Sequence, residues 1–106
     1  MSGSGPTDRL RIELESRSPA EATLKLSGEL DLVTAPALNA ELARHSARGH
    51  RVVLDLSQIE FLDSTGLVLL METARDDGLL LRRNLSPAVA RLLEVTKTEQ
   101  LFQWTD

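Results

Sequence analysis

The sequence lacks the residues on which several common classes of protein depend. It contains no cysteine, so neither a disulfide framework nor a thiolate zinc site is possible. Its two histidines, His45 and His50, are isolated in the sequence. We expect one on a solvated helix end and the other in a loop, and therefore no metal site.

Long apolar runs and basic runs are also absent. No stretch approaches the roughly 18 consecutive apolar residues of a membrane-spanning helix, and no signal peptide is visible. The net charge is −4, and no basic cluster offers a footprint for a phosphate backbone. We therefore expect a cytoplasmic protein without membrane insertion and without a nucleic-acid partner.

Familiar catalytic motifs are missing as well. There is no glycine-rich phosphate loop of the P-loop or dinucleotide type, and no G-x-S-x-G elbow. Ser64 could act as a nucleophile only beside a base, and nothing in the sequence places either histidine there. The order Asp63-Ser64-Thr65-Gly66 is one residue too long for an aspartic protease motif. We expect a protein that is not an enzyme and holds no cofactor.

The length and composition indicate one small globular domain. The chain has 106 residues, of which 42 % are hydrophobic and 26 % are charged. Residues 1–7 are rich in glycine, serine and proline. We predict a flexible segment over residues 1–8 and a single domain over residues 9–106.

Alternation and helix signals organise the first half. Leu10, Ile12 and Leu14 alternate with charged residues, and residues 22–27 alternate in the same way, so an antiparallel hairpin near a sheet edge is predicted. Pro36 then falls in the first turn of a helix that begins near residues 34–35 and stops at residue 49.

The second half alternates short apolar runs with helical patterns. Residues 52–56 predict a central strand buried on both faces, and residues 79–81 predict a second. Ser86 and Pro87 predict the start of a third helix. Residues 95–100 read as a polar loop before a short last strand over residues 101–104. The whole predicts an α/β domain with a mixed sheet opened by a hairpin and packed against helices.

The stretch Asp63-Ser64-Thr65-Gly66 separates the central strand from the second helix. Asp63 is the expected N-cap, since its carboxylate can accept from the free amides of the first turn. Ser64 and Thr65 are then exposed where amides and the helix dipole favour negative charge, so a phosphate added there has donors within reach. The pattern alone is more often that of a helix cap without chemistry, since Ser, Thr and Asp cap helix starts in most soluble proteins.

Four blocks of sequence together resemble the STAS domain of bacterial anti-sigma factor antagonists. They lie in order between about Leu10 and Trp104, and they are residues 28–31 (GELD), 52–56 (VVLDL), 61–67 (FLDSTGL) and 85–93 (LSPAVARLL). The resemblance implies a STAS fold. Members of that family usually continue into a C-terminal helix after the last strand, and we expect this helix to be missing here.

The resemblance also implies a function and site residues. Ser64 corresponds to the serine phosphorylated by a partner anti-sigma factor, which is an ATP-dependent serine kinase. The unphosphorylated domain binds the kinase and frees a sigma factor, the phosphorylated domain is released, and a serine phosphatase restores the first form. Asp31, Asp63, Ser64, Thr65 and Gly66 are the implied partner-binding residues, with Thr65 a second candidate acceptor.

Two other functions remain open at this point. A STAS domain can serve as a cytoplasmic interaction subunit of an ABC-type lipid or anion transporter, often without phosphorylation. A hydrolase using Ser64 is the third hypothesis. The sequence does not name the sigma factor, the kinase or the phosphatase.

Overall fold

The computed structural model describes residues 9–106, and the predicted flexible segment at residues 1–8 lies outside this range. The strands in this range are β1 (Leu10–Arg17), β2 (Glu21–Leu30), β3 (Arg51–Leu62), β4 (Leu80–Arg82) and β5 (Gln103–Thr105). The helices are α1 (Ala35–Ala47), α2 (Ser64–Asp77) and α3 (Pro87–Thr96), followed by a 3₁₀ turn at Glu99–Leu101.

The strands form one sheet in the order β1-β2-β3-β4-β5. β1 pairs antiparallel with β2, and the other neighbours pair in parallel. This confirms the predicted mixed sheet opened by a hairpin, with β3 at its centre. Each parallel connection contains one helix, as the crossover rule requires.

All three helices pack on the same face of the sheet. The strand register aligns Leu24, Leu54 and Leu81 on that face. Buried residues from every helix join the same hydrophobic cluster, namely Leu38 and Leu42 of α1, Leu67 and Leu70 of α2, and Val89 and Leu93 of α3. Burial of such side chains is the main stabilising contribution, at about 25 cal/mol per Å² of apolar surface.

The paired ends of β2 and β3 position the residues that follow them. Both strands run further than the apolar patterns predict, and Leu30 pairs with Leu62 at their carboxyl ends. Asp31 and Asp63 directly follow these paired residues. Strand register therefore brings two loops, 32 residues apart in sequence, to one edge of the sheet.

The predicted loop over residues 95–100 is wrong. α3 continues to Thr96, and the 3₁₀ turn occupies Glu99–Leu101. The Thr96 hydroxyl donates to the Leu92 carbonyl at 2.7 Å, and Lys97 ends the helix in a left-handed conformation. These local polar bonds, anchored by buried Leu93, outweigh the loop-like composition.

The prediction of two solvated, isolated histidines is also wrong. His45 is only 5 % exposed, because it continues the buried stripe of α1 formed by Leu38 and Leu42. Its Nδ1 atom lies 3.2 Å from Nδ1 of His50. Burial lowers the pKa of His45, and the neighbouring His50 lowers that pKa further.

Gly28 allows a close backbone contact between β1 and β2. Its φ is +104°, and a Cβ there would lie 2.0 Å from the Arg9 carbonyl oxygen, which accepts a hydrogen bond from the Glu29 amide at 2.7 Å. We expect Gly28→Ala to lower the free energy of unfolding by about 3 kcal/mol or more, because strain and a backbone clash add.

Gly49→Ala is the matched control, since φ there is +78° and no heavy atom lies within 4 Å of the added Cβ. It should cost only the left-handed strain, about 1–2 kcal/mol. Urea denaturation measures both variants. Equal losses in the two would contradict the clash at Gly28.

Candidate functional site

The site lies where β2 and β3 end and where α1 and α2 begin. The Asp63 amide donates to the Leu30 carbonyl at 3.2 Å, which extends the strand pairing into the loop. All five residues implied by the resemblance lie at this edge: Asp31, Asp63, Ser64, Thr65 and Gly66. The structure therefore brings together residues from two separate blocks of the sequence.

Asp63 is the N-cap of α2, as predicted. Its backbone is extended, and its Oδ1 accepts from the Gly66 amide at 2.9 Å. Its Oδ2 accepts from the Leu32 amide at 3.2 Å. One carboxylate thus caps the helix and fastens the loop that follows β2 to it.

Gly66 brings the first turn of α2 against the end of β2. A Cβ at this position would lie 2.8 Å from the Leu30 carbonyl oxygen and 2.7 Å from Cδ1 of Leu62. Gly66 is buried, so it offers no side chain and little surface to a partner. Its role in this structure is close packing, and its role in partner binding stays a prediction.

The Asp31 carboxylate is engaged inside the protein. Only 12 % of this side chain is exposed. Its Oδ1 accepts from the amides of Val33 and Thr34 at 3.0 and 3.1 Å. The two ends of the Arg9 guanidinium donate to its two oxygens at 2.8 and 3.2 Å.

These contacts set the protonation of Asp31. Burial favours the neutral acid, but the hydrogen bonds from Thr34, Arg9 and Val33 and the charge of Arg9 outweigh it, so the pKa of Asp31 is lowered. The charged Asp31 carboxylate therefore holds the loop over residues 31–34 in place through its hydrogen bonds. The resemblance implies a place for Asp31 on the partner-binding surface, and nothing in the sequence indicates its pairing with Arg9.

Ser64 and Thr65 lie on the first turn of α2, where Ser64 is exposed and Thr65 is half-buried. They border a groove of about 520 Å³ between α1 and α2, which we call the α1–α2 groove. Its lining residues are Leu32, Ala35, Pro36, Asn39, Ser64, Thr65, Val68, Leu69 and Glu72. The predicted hydroxyl pair therefore faces a partly apolar surface.

Several apolar side chains at this edge are exposed, and Leu32 and Val68 among them line the groove together with Ser64. Leu32 is 69 % exposed, Val33 67 %, Phe61 49 % and Val68 47 %. The sequence signal for this exposed surface is the apolar pair Leu32-Val33 directly after Asp31, in a loop where polar residues are usual. Such clusters on a small domain commonly mark interaction sites.

The geometry gives Ser64 no histidine base. α1 begins beside the site at Ala35, and His45 lies ten residues further along this helix. At 1.5 Å per residue that is about 15 Å away. The Ser64 hydroxyl makes no hydrogen bond to the described residues, so the arrangement favours modification of this hydroxyl over nucleophilic catalysis by it.

Within residues 9–106 no group of three or more histidine, cysteine, aspartate or glutamate side chains is arranged to hold a metal ion. No helix in the same range is both long enough and apolar enough to cross a membrane.

Removal of the Asp63 carboxylate should both weaken α2 and loosen the loop over residues 31–34. We expect Asp63→Ala to lower the free energy of unfolding by about 1–2 kcal/mol, because two backbone donors lose their acceptor. Amide exchange at Leu32 and Gly66 should accelerate in the same variant.

Ser86→Ala is the matched control, because Ser86 caps α3 by accepting from the Val89 amide at 3.2 Å. It should cost similar stability without changing exchange at Leu32. The bridging role of Asp63 would be refuted if the Leu32 amide exchanged equally fast in wild type and Asp63→Ala.

The lowered pKa of Asp31 predicts a pH dependence of stability. The folded state holds this proton less readily than the unfolded state, so the carboxylate stabilises the fold above about pH 4. This contribution is lost as the pH falls through the folded-state pKa. Between about pH 6 and pH 3, wild type should lose more stability than Asp31→Asn, and the two denaturation curves should converge.

Glu60→Gln is the control for that series, since Glu60 is exposed and makes no side-chain hydrogen bond to the described residues. It should follow wild type across the series. Parallel curves for wild type and Asp31→Asn would show that Asp31 is not held as a stabilising carboxylate.

Known proteins resemble this chain in sequence. The family described as "Mlab, STAS domain" matches residues 13–103. The anti-sigma-F factor antagonist RsfB of Mycobacterium tuberculosis is 34 % identical over 88 residues, which cover 76 % of this chain and 72 % of that protein. The anti-sigma-B factor antagonist of Bacillus subtilis is 30 % identical over 83 residues, which cover 74 % of this chain and 76 % of that protein.

Solved structures of anti-sigma factor antagonists also resemble this chain. An anti-sigma factor antagonist from Mycobacterium paratuberculosis superposes with a TM-score of 0.77 at 32 % identity, over 95 % of this chain and 88 % of that one. Unphosphorylated SpoIIAA, an anti-sigma factor antagonist, gives 0.72 at 20 % identity over 90 % of this chain and 88 % of its own, which shows a shared fold alone. Four sequence blocks, the fold and these relatives agree, and the chain belongs to the STAS domain family, among its anti-sigma factor antagonists.

Proposed function

We propose that this protein is a binding protein that antagonises an anti-sigma factor and is switched by phosphorylation of Ser64. The unmodified form binds an anti-sigma factor that is an ATP-dependent serine kinase, and thereby makes a sigma factor available for transcription. Phosphorylation by that kinase releases the complex, and a serine phosphatase resets it. The observation that supports this most directly is the exposed Ser64 hydroxyl on the rim of the α1–α2 groove.

Exposed apolar residues supply the binding surface in this proposal. Leu32 and Val33 project from the loop after β2, and Val68 lies one turn beyond Ser64 on α2. Their burial against a partner stabilises a complex by about 25 cal/mol per Å². A partner that covers these side chains also covers the Ser64 hydroxyl.

Phosphorylation opposes this complex through charge. It adds about −1.5 to −2 charge beside the Asp63 carboxylate. A partner surface that accepts a neutral hydroxyl must then desolvate a dianion next to a fixed acid. A hundredfold to thousandfold loss of affinity requires about 2.7–4.1 kcal/mol, which one poorly paired buried charge supplies.

The fold accommodates the phosphate without rearrangement. The Ser64 hydroxyl has no hydrogen bond to the described residues for a phosphate to break. The amides at the start of α2 and the helix dipole favour a negative group there. SpoIIAA in its phosphorylated form also shares this fold, with a TM-score of 0.66 at 19 % identity over 90 % of this chain and 91 % of its own.

The other implied site residues support the surface from within. Asp31 braces the loop that presents Leu32 and Val33, Asp63 joins that loop to α2, and Gly66 permits their close approach. Thr65 is half-buried, so its hydroxyl is the less accessible acceptor for a kinase.

Variants at Ser64 test this function with the purified partner kinase. Ser64→Ala should bind it with wild-type affinity, within a factor of about 3, and incorporate no phosphate from ATP. Ser64→Asp should bind at least about tenfold more weakly, since one carboxylate supplies part of the charge of a phosphate. Calorimetry gives the affinities, and mass spectrometry gives the modified residue.

Thr65→Val is the matched control on the adjacent hydroxyl, and it should retain both binding and phosphate incorporation. Phosphate on Thr65, or failure of Ser64→Ala to bind any anti-sigma factor kinase, would contradict the assignment. Binding that is insensitive to Ser64→Asp would refute the charge switch.

A further inference from the structure

A second cluster of chemically active side chains lies at the other end of α1. His45 occupies the last turn of this helix, and His50 immediately precedes β3. The pair is about 15 Å along α1 from the Ser64 edge, so it is separate from the site described above. Neither side chain takes part in the proposed phosphorylation switch at Ser64.

The backbone holds the two rings together. The His50 and Arg48 amides donate to the His45 carbonyl at 3.0 and 3.1 Å, and the Gly49 amide donates to the Ser46 carbonyl at 2.9 Å. Gly49 reverses the chain with φ at +78°. Because these bonds terminate α1 in a fixed way, the backbone holds the two side chains near each other before an ion binds.

The separation of the rings matches that of two ligands on one metal ion. The Nδ1 atoms are 3.2 Å apart. An ion at about 2.0–2.1 Å from each nitrogen, the usual zinc–imidazole distance, would make an angle of about 100° between them. That angle lies between the tetrahedral and square-planar values, which Zn²⁺, Ni²⁺ and Cu²⁺ accept.

We propose that His45 and His50 form a two-histidine site for a late first-row divalent metal ion, with Zn²⁺ as the biologically available example. Both rings bind through Nδ1. Solvent fills the other positions, because no third side chain in the described range completes a metal cluster. Such an open site is weaker than a four-ligand structural zinc site.

The surrounding charges are mostly positive and limit the affinity, because the cavity that His45 lines is also lined by four arginines and two glutamates, namely Arg11, Arg17, Arg44, Arg48, Glu13 and Glu41. Glu41, one turn before His45 on α1, favours a cation, but its carboxylate is paired with Arg44. Arg48 follows in the chain and opposes a cation, as its lowering effect on the His45 pKa shows. The imidazoles themselves are therefore the main source of binding.

Metal binding replaces the present contact between the rings. A hydrogen bond between two neutral rings places a proton on one Nδ1. Coordination through both Nδ1 atoms moves this proton to Nε2 of the same ring, with no net release. The half-buried His50 ring must turn slightly so that both lone pairs face the ion. This change of tautomer is directly visible in ring ¹⁵N spectra.

The experiment is a ZnCl₂ titration of the untagged chain, followed by long-range ¹H–¹⁵N spectra of the imidazoles. The sequence has two histidines and no cysteine, so every ring signal belongs to this pair. We expect both Nδ1 signals to shift with a 1:1 stoichiometry and both Nε2 atoms to carry protons in the metal-bound form, whereas only one of them does in the free protein. The melting temperature should rise with Zn²⁺ concentration, because the ion binds the folded pair.

His50→Gln is the informative variant, since His50 is half-buried while His45 belongs to the core and its replacement risks unfolding. Binding to His50→Gln should be at least about tenfold weaker. Unmoved ring signals at millimolar Zn²⁺, or equal affinity for wild type and His50→Gln, would show that the two rings share only a hydrogen bond and would overturn the proposal.

Discussion

The Asp63 carboxylate joins two parts of the chain on which the functional surface depends. One oxygen accepts from the Gly66 amide in α2, and the other accepts from the Leu32 amide after β2. Without this bridge, only the pairing of β2 with β3 would hold the helix start and the apolar loop near each other. With it, the Ser64 hydroxyl and the exposed Leu32 side chain keep fixed positions relative to each other on the α1–α2 groove.

The acids and the hydroxyl at this edge have different tasks because their exposure differs. The carboxylates of Asp31 and Asp63 accept hydrogen bonds from backbone amides, and Asp31 also accepts from Arg9. These bonds hold the loops that carry the exposed residues. Ser64 gives its hydroxyl to nothing in the described range. A charge added there changes what a partner meets and leaves the internal hydrogen bonds intact.

Much of the fold can be predicted from the sequence, because the local patterns of strands and helix caps agree with the tertiary structure. Alternation predicts the hairpin, and Asp63 and Ser86 predict two helix starts that the structure contains. Exposure of loop residues could not be predicted. Leu32 and Val33 form an apolar pair after β2, and nothing in the sequence pattern indicates that both side chains are exposed.

The partners of buried polar side chains could not be predicted from the sequence either. Arg9 and Asp31 are 22 residues apart, and no local pattern pairs them. His45 was expected to be exposed because histidine is common near a helix C-terminus. In the structure it is buried, since the helical period places it on the same side of α1 as Leu38 and Leu42. Long-range contacts of this kind depend on the completed fold.

The central claim is that one phosphate on Ser64 ends partner binding by local charge. It is tested most directly by the dissociation constant of the fully phosphorylated protein for its anti-sigma factor, beside its free energy of unfolding. The account predicts affinity at least about a hundredfold weaker, with the free energy of unfolding changed by less than about 1 kcal/mol. Unchanged affinity, or a loss of affinity accompanied by unfolding, would contradict it.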